Sequence, residues 1–571
     1  MAETNTSASE TPATSEAPMS TEASTPTSSD ADAPSARSRG SVLLLLALLA
    51  AALVFGLALP GDFVLDDIPA VTRSTCVTGP LSLTEIFSHN FWCQDPAVAN
   101  VDAWRPLPVL AWNLAWKLGG GDPFPFHLLG WLAHLACVAL VWRLGQRLSL
   151  PTPAPALAAL LFALMPIHVD AVASIVGFAD VLSTLGVLVV AIACLAPRRA
   201  SWALVALGSL IALGAKESGA IIAPLAILAW LLAPRFAPRF APKETHESKA
   251  KAPAHLRPLL AALAIALTSL ALLARARVLG SWTAQHITFG VNPLLDAPAS
   301  IRLTAPFGLW THYLQVALLG TPLSADHSYD AIPLTGPEGW LRAALGLAIV
   351  LFLATWAVAS WRRRQATRAW LIAWLLGAGA LACQLFTLLP AIYAERLFYG
   401  ASVPLTLLAA ETLAPLLQRR LPTIALLAYL TLQATLSAAH THAWTSEDGI
   451  TAITVAASPR SARAQVWRTR VLLRAGEPER ALIHADIASD ILPDWGIPDA
   501  LAGSALDSLD RPAEAAQRFA QATKVAPQEP EVADLAIQFL LRYGHRAQAR
   551  AIYARHQQAR GGAPVPWVTR P

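Results

Sequence analysis

The stretch SVLLLLALLAAALVFGLALPGDFVLDD, Ser41 to Asp67, decides how the chain is read. Its first twenty residues carry no charge. At about 1.5 Å of rise per residue, one helix of that length crosses about 30 Å of hydrocarbon. Two adjacent carboxylates, Asp66 and Asp67, then follow within seven residues of Pro60. As a polar stop at a membrane interface, one carboxylate suffices. A pair also fits chemistry, with one group titrating as a base while its neighbour sets the local field or binds a cation. On the residues alone both readings stay open.

The same pattern repeats along the chain. Of 571 residues, 55% are hydrophobic and 14% charged, which fits neither an ordinary soluble protein nor a disordered one. Apolar segments near 41–60, 124–142, 152–172, 180–197, 201–215, 218–234, 257–274, 341–360, 368–389, 400–417 and 421–438 predict an all-α, polytopic membrane protein with about 11 helices. Several are short for the hydrocarbon, so one or two re-entrant segments are expected. The nineteen Trp residues fit interfacial anchoring.

Residues 1–36 are Ser, Thr, Ala, Pro and Glu with no basic residue, and read as a disordered cytoplasmic tail. Basic residues fill every break that a cytoplasmic N-terminus puts inside. These are Arg143 and Arg147; Arg198 and Arg199; Arg235, Arg239, Lys243, Lys249 and Lys251; Arg362, Arg363, Arg364 and Arg368; Arg419 and Arg420. The large loops 61–123 and 275–340, the turns near 173–179, 216–217 and 390–399, and everything after 440 then share the outer side. The Ala- and Arg-rich composition points to a bacterial cytoplasmic membrane. A nucleic-acid partner would want a continuous basic face with stacking aromatics, and the pattern offers none, so none is expected.

The five cysteines contain no CxxC pair. Cys137, Cys194 and Cys383 lie in apolar segments and read as packing residues. Cys76 and Cys93 share one outer loop, where an oxidising compartment permits a disulfide that spacing alone does not decide.

Beyond a linker at 441–459, the chain repeats. Pro459, Pro493 and Pro527 are 34 residues apart, as are Gly476, Asp510 and Gly544, and Ala481, Ala515 and Ala549. That period predicts about three tetratricopeptide (TPR) repeats in an outer α-solenoid over 460–571. Such an array is a binding surface or a structural cap.

Polar interruptions gather at the outer helix ends. MPIHVDAVASIVGFAD, Met165 to Asp180, carries His168, Asp170 and Asp180. GAKESG holds Lys216 and Glu217, YAERLFYG holds Glu395 and Arg396, and DAWRPL holds Arg105. Such groups are costly at membrane depth unless they are paired or face an aqueous cavity. Lys216 and Glu217 read either as a neutralising pair or as a phosphate reader and its support. Arg396 offers a planar fork suited to phosphate. No spacing matches a metal motif, so metal ligands are unknown.

Seven blocks together resemble a known family: GDFVLDD, WRPLPVLAWNLAWKLGGGDPFPFHLLGWLAHL, FALMPIHVDAVASIVGFADVLSTL, LGAKESG, the region from ITFGVNPLL to YDAIPL, AERLFYG and HTHAWTSED. It is the transmembrane and tetratricopeptide-repeat O-mannosyltransferases, polytopic glycosyltransferases of the C superfamily (GT-C). The resemblance runs from about residue 55 to the C-terminus and departs from the family's second block at Met165. It implies a GT-C-like bundle over 37–440 and an inverting transfer of a sugar, mannose by inheritance. The donor is a polyprenyl-phosphate carrier and the acceptor a hydroxyl, expected to be protein Ser/Thr, on the outer side. Asp66 and Asp67 match the acidic motif of the catalytic base, with Asp67 preferred. Lys216 and Arg396, with Glu217, Arg105, His168, Asp170 and Asp180, are expected around the donor. A divalent cation is left open, and the repeats are expected to present the protein or peptide acceptor.

Two other classes compete. A non-catalytic membrane TPR assembly factor would need the bundle only as an anchor. A lipid or solute transporter would put ionisable residues near helix centres.

Overall fold

The computed structural model describes residues 36–93, 103–195, 197–198, 200–233, 255–282 and 290–559. The expected tail lies outside these residues apart from Ala36, which opens the first helix. Arg199, the basic stretch from Arg235 to Lys251 and the last residues of the third repeat lie outside them too.

Every described element is helical or a turn. Among the described residues, seven helices are long and apolar enough to cross a membrane: Gly40–Ala58, Phe124–Arg147, Phe178–Leu195, Leu256–Leu279, Gly336–Arg362, Glu395–Gln418 and Arg420–Ala443. An eighth span exists if Ala154–Leu164 and Pro166–Val172, bent by 57° at Met165, are taken as one. Pro166 explains the break, because it lacks an N–H and its ring disfavours the helical conformation of the residue before it. The three other expected segments are helical but short: Ser201–Ala215, Glu217–Leu231 and Ala366–Ala382. Fifteen residues rise only about 22 Å. The expected eleven spans are thus seven or eight long ones, with three apolar helices too short to cross alone.

Both large loops contain helices. In the first, Pro106–Gly119 is held by its buried Asn113 amide, which donates to the carbonyls of Cys76 and Val77 at 2.9 and 3.1 Å. Cys76 and Cys93 are disulfide-bonded beside it. In the second, Ala299–Leu319 runs along Gly336–Arg362, and its Thr311 hydroxyl donates to the Arg342 carbonyl at 2.8 Å. Arg302, Pro306, His312 and Gln315 interrupt its apolar run, so composition alone conceals it.

Small residues allow the tightest packing in the bundle. A Cβ on Gly186 would collide with the backbone of Ala212 and Gly208, so Phe178–Leu195 and Ser201–Ala215 meet backbone to backbone. The Ser183 hydroxyl donates to the Ala212 carbonyl at 3.1 Å across the same seam. The outer face of Ser201–Ala215 presents Trp202, Leu204, Leu207 and Leu210, as a lipid-facing surface would.

The two ends of the bundle differ. At one end Arg147 lies within electrostatic reach of Arg143 and Arg198, and the Thr367 hydroxyl points to the Leu148 carbonyl at 3.4 Å. Three of the basic breaks therefore meet. At the other end of Phe124–Arg147, His127 lies against Gly61, where the first loop begins.

The last span runs to Ala443, and the expected linker is largely the helix Glu447–Ala457, capped by Ser446, whose hydroxyl accepts from Gly449 N at 3.1 Å. Three helical hairpins follow: Ala462–Arg474 with Pro478–Ile491, Ile497–Ser508 with Pro512–Val525, and Pro530–Arg542 with Arg546–Ala559. They keep the 34-residue phase read from the sequence. Ala481, Ala515 and Ala549 are fully buried, and the turn positions Gly476, Asp510 and Gly544 are left-handed, with φ of 74°, 57° and 79°. The region is consistent with a solenoid.

Overpacking a backbone-to-backbone seam typically costs about 1–3 kcal/mol. Gly186→Val in the full chain is expected to lower the yield and melting temperature of the detergent-solubilised protein. Leu207→Val on the outward face should leave both unchanged. Size-exclusion chromatography with thermal scanning of the two variants checks this.

Candidate active site

The two acids of the first loop are held differently. Leu65, just before the pair, takes a left-handed φ of 49°, and the two carboxylates that follow have different partners. Asp67 is fully buried, with Oδ1 accepting from Val176 N at 2.9 Å and Oδ2 from Val64 N at 3.2 Å. It fastens the first loop to the segment that follows the bent helix pair. Burial pushes its carboxyl up to about 7, against the downward pull of the Val176 and Val64 N–H donors. Asp66 keeps 36% of its side chain exposed. Its two oxygens look towards different guanidinium groups, Arg463 at 3.8 Å and Arg396 at 4.0 Å.

Around Asp66 the other outer-end residues form pairs. Asp170 is almost wholly buried and receives two bonds from Arg396, from Nη1 at 3.0 Å and from the backbone N at 3.1 Å. Lys216 Nζ sits 2.6 Å from both oxygens of Asp180. This pair lies within electrostatic reach of Arg396 and Arg105, so the two ion pairs share one polar space. Glu217 binds Arg105 at 3.4 Å and Arg275 at 3.6 Å, and accepts from Trp104 N at 3.3 Å. The Arg105 guanidinium also lies over the Phe91 ring, 5.0 Å from its centroid.

His168 stands apart. Its Nε2 bonds Ser402 Oγ at 2.8 Å inside a buried aromatic cluster with Phe162, His134 and Tyr399. It packs the bundle beneath the site and does not line it. Sequence reading also missed two participants, Asp326 and Arg463. Asp326 accepts from Ser328 N at 3.0 Å and from the Ser461 hydroxyl at 2.5 Å, and faces Arg463 Nε at 3.6 Å. Glu395 takes Ser324 N at 2.7 Å and lies 3.4 Å from His327. Asp326 falls inside the block that ends in YDAIPL, so a signal was present. Arg463 had none, being one of several arginines in the first repeat helix.

Three candidate metal donors, Cys76, His89 and Cys93, come together in the first loop, but the two cysteines are bonded to each other. Asp66, Asp170 and Asp326 each face a guanidinium. Of these three, Asp66 is the most exposed carboxylate, at 36% against 2% and 7%.

Part of the chain is homologous to animal protein O-mannosyl-transferases. It is 39% identical over 124 residues to Protein O-mannosyl-transferase Tmtc2 of Drosophila melanogaster, covering 21% of this chain and 13% of that one. It is 30% identical over 203 residues to Protein O-mannosyl-transferase F38B6.6 of Caenorhabditis elegans, covering 35% and 29%. It is 33% identical over 146 residues to human Protein O-mannosyl-transferase TMTC4, covering 23% and 20%. The matched segments thus span less than a third of each relative. No family model matches. The crystal structure of the apo oligosaccharyltransferase of Archaeoglobus fulgidus aligns over 75% of this chain and 57% of that one, at 14% identity and a TM-score of 0.35, too low to carry weight. These animal relatives correct the assignment to a bacterial cytoplasmic membrane. A multi-pass membrane topology stands.

Asp67 supplies a pH test. Its folded pKa lies above the ordinary 3.8, so its share of stability is complete below about 3.8 and is lost as pH rises through about 7. The melting temperature of the wild type minus that of Asp67→Asn should therefore fall between about pH 4 and 7 and level off above. A difference that does not vary with pH would contradict the burial assigned to this carboxylate.

Proposed function

We propose that the chain is a glycosyltransferase that moves a sugar from a polyprenyl-phosphate carrier to a hydroxyl acceptor. The printed names of the relatives support mannose as the sugar and a protein oxygen as the acceptor, for which the Ser/Thr hydroxyl is our reading. One observation carries the reading. Asp66 is the most exposed carboxylate of the cluster and has only long contacts, while Asp67, Asp170, Asp180 and the partly exposed Glu217 are committed to backbone donors or cations. Asp66 therefore takes the role of base, and Asp67 positions the loop that carries it.

In this mechanism the acceptor hydroxyl gives its proton to Asp66 as its oxygen attacks the anomeric carbon. The bond from that carbon to the phosphate oxygen breaks, and the electron pair leaves with the lipid phosphate. Attack and departure on opposite faces invert the centre. The leaving group already carries charge, so cations at the phosphate matter more than an acid. Arg396, with Lys216 and Arg105 nearby, fills that role. The long apolar spans suit a donor whose tail stays in hydrocarbon. The hairpins over 460–559, read as tetratricopeptide repeats, present a peptide acceptor. The clustering of charge at helix ends favours this reading over a transporter, whose ionisable groups sit near the bilayer midplane.

Purified full-length protein incubated with defined polyprenyl-phosphate sugars and Ser/Thr peptides, followed by mass spectrometry, identifies sugar and acceptor together. Asp66→Asn should lower transfer by about 100-fold or more, the usual share of a general base, while polyprenyl-phosphate binding persists. Transfer at the wild-type rate in that variant would remove Asp66 from the role.

A further inference from the structure

The cations of the site are not equally committed. Lys216 is held at 2.6 Å by both oxygens of Asp180, and Arg396 makes two bonds to Asp170. Arg463 has only long contacts, 3.6 Å to Asp326 and 3.8 Å to Asp66, both beyond hydrogen-bond length. Its guanidinium lies over the Trp467 ring, 4.6 Å from the centroid, on the same helix. A ring fixes the plane of a guanidinium without using its N–H groups, so the donors of Arg463 stay available. One of them, Nη2, is aimed at the same carboxylate that Arg396 Nη2 faces from the other side. Two planar forks thus flank one partly open space, and each has unspent donors.

We infer that Arg463, from the first helix of the repeat region, completes an anion subsite with Arg396 and contacts the phosphate of the lipid-linked sugar. This rests on the reading under Proposed function and extends it. The repeat region then presents more than an acceptor, because it contributes a side chain to the donor site. The helix bearing Arg463 is held in place by shorter bonds than those Arg463 makes. Ser461, its N-cap, accepts from Ala464 N at 3.0 Å and donates to Asp326, and Ser458 bonds Ser324 at 3.0 Å. Phosphate favours this arrangement because its oxygens match the fork of a guanidinium bidentately, and two forks hold it better than one.

The test is binding of sugar-free polyprenyl phosphate to the full-length protein in nanodiscs, with inorganic phosphate as competitor. Arg463→Gln should weaken binding about ten-fold, the scale of one charge-assisted contact, and Arg463→Lys should restore part of it. Arg460→Gln, which removes the exposed pair with Asp330 on the same docking segment, should bind as the wild type does. Displacement by millimolar inorganic phosphate would identify phosphate itself as the bound group. Resistance to it would assign the affinity to the lipid and overturn the subsite. Equal binding by Arg463→Gln and the wild type overturns this inference alone, and so does an equal loss in Arg460→Gln. A wild type that binds no polyprenyl phosphate overturns the donor reading along with it.

Discussion

The ion pair between Arg396 and Asp170 is the constraint on which the loop end of the bundle depends. Asp170 is almost fully buried where the bent helix pair ends, and Arg396 opens the span that follows the 390–395 turn. Neither charge tolerates that position alone. Leaving a buried charge uncompensated costs about 3–5 kcal/mol in comparable pairs. The pair is doubled by the backbone N of Arg396, so it fixes the direction of the chain as well as the charge. Two segments 226 residues apart in sequence are thereby pinned side by side. Asp66 faces the outer side of that pair.

Asp67 adds the second fastening. Its carboxylate accepts from Val64 and Val176, joining the first loop to the turn that leads into Phe178–Leu195. The adjacent carboxylates that looked interchangeable in sequence are therefore divided by their partners, backbone N–H groups for Asp67 and guanidinium groups for Asp66. Sequence preferred Asp67 because motif matching does not see direction. In the proposed mechanism the role of base falls to Asp66, while the buried Asp67 ties the loop to the Val176 segment.

Much of the architecture was legible, for a physical reason. Long apolar runs and a 34-residue phase are one-dimensional signals, and the helices and the buried Ala481, Ala515 and Ala549 follow them closely. Span count was less legible, since hydropathy marks an apolar helix whether or not it is long enough to cross. Ser201–Ala215 and Glu217–Leu231 show the difference, as does Ala299–Leu319, whose polar side chains hid a helix in a presumed loop. At the site, Asp66, Arg396, Asp170, Lys216 and Asp180 were singled out because charge beside hydrocarbon is conspicuous. His168 was conspicuous for the same reason, yet serves the aromatic packing. Arg463 was invisible, because an arginine on a polar repeat helix has nothing unusual around it until the fold brings Asp66 beside it.

The way the repeat region meets the bundle bears on how such a site works. The contacts of Arg463 are long and about a quarter exposed, and salt with a screening length of about 8 Å weakens pairs of that kind. Docking must then rest elsewhere. Asp326, Ser328, Ser461, Ser324 and Ser458 are all nearly or fully buried and bonded to one another across the junction. Buried hydrogen bonds to a carboxylate are screened far less and lose more if broken. The helix is thus held by these short buried bonds, and Arg463 touches that set only through its long contact with Asp326. Under the proposed subsite, a guanidinium placed in this way exchanges Asp66 for an incoming anion while the buried serine bonds keep the helix docked.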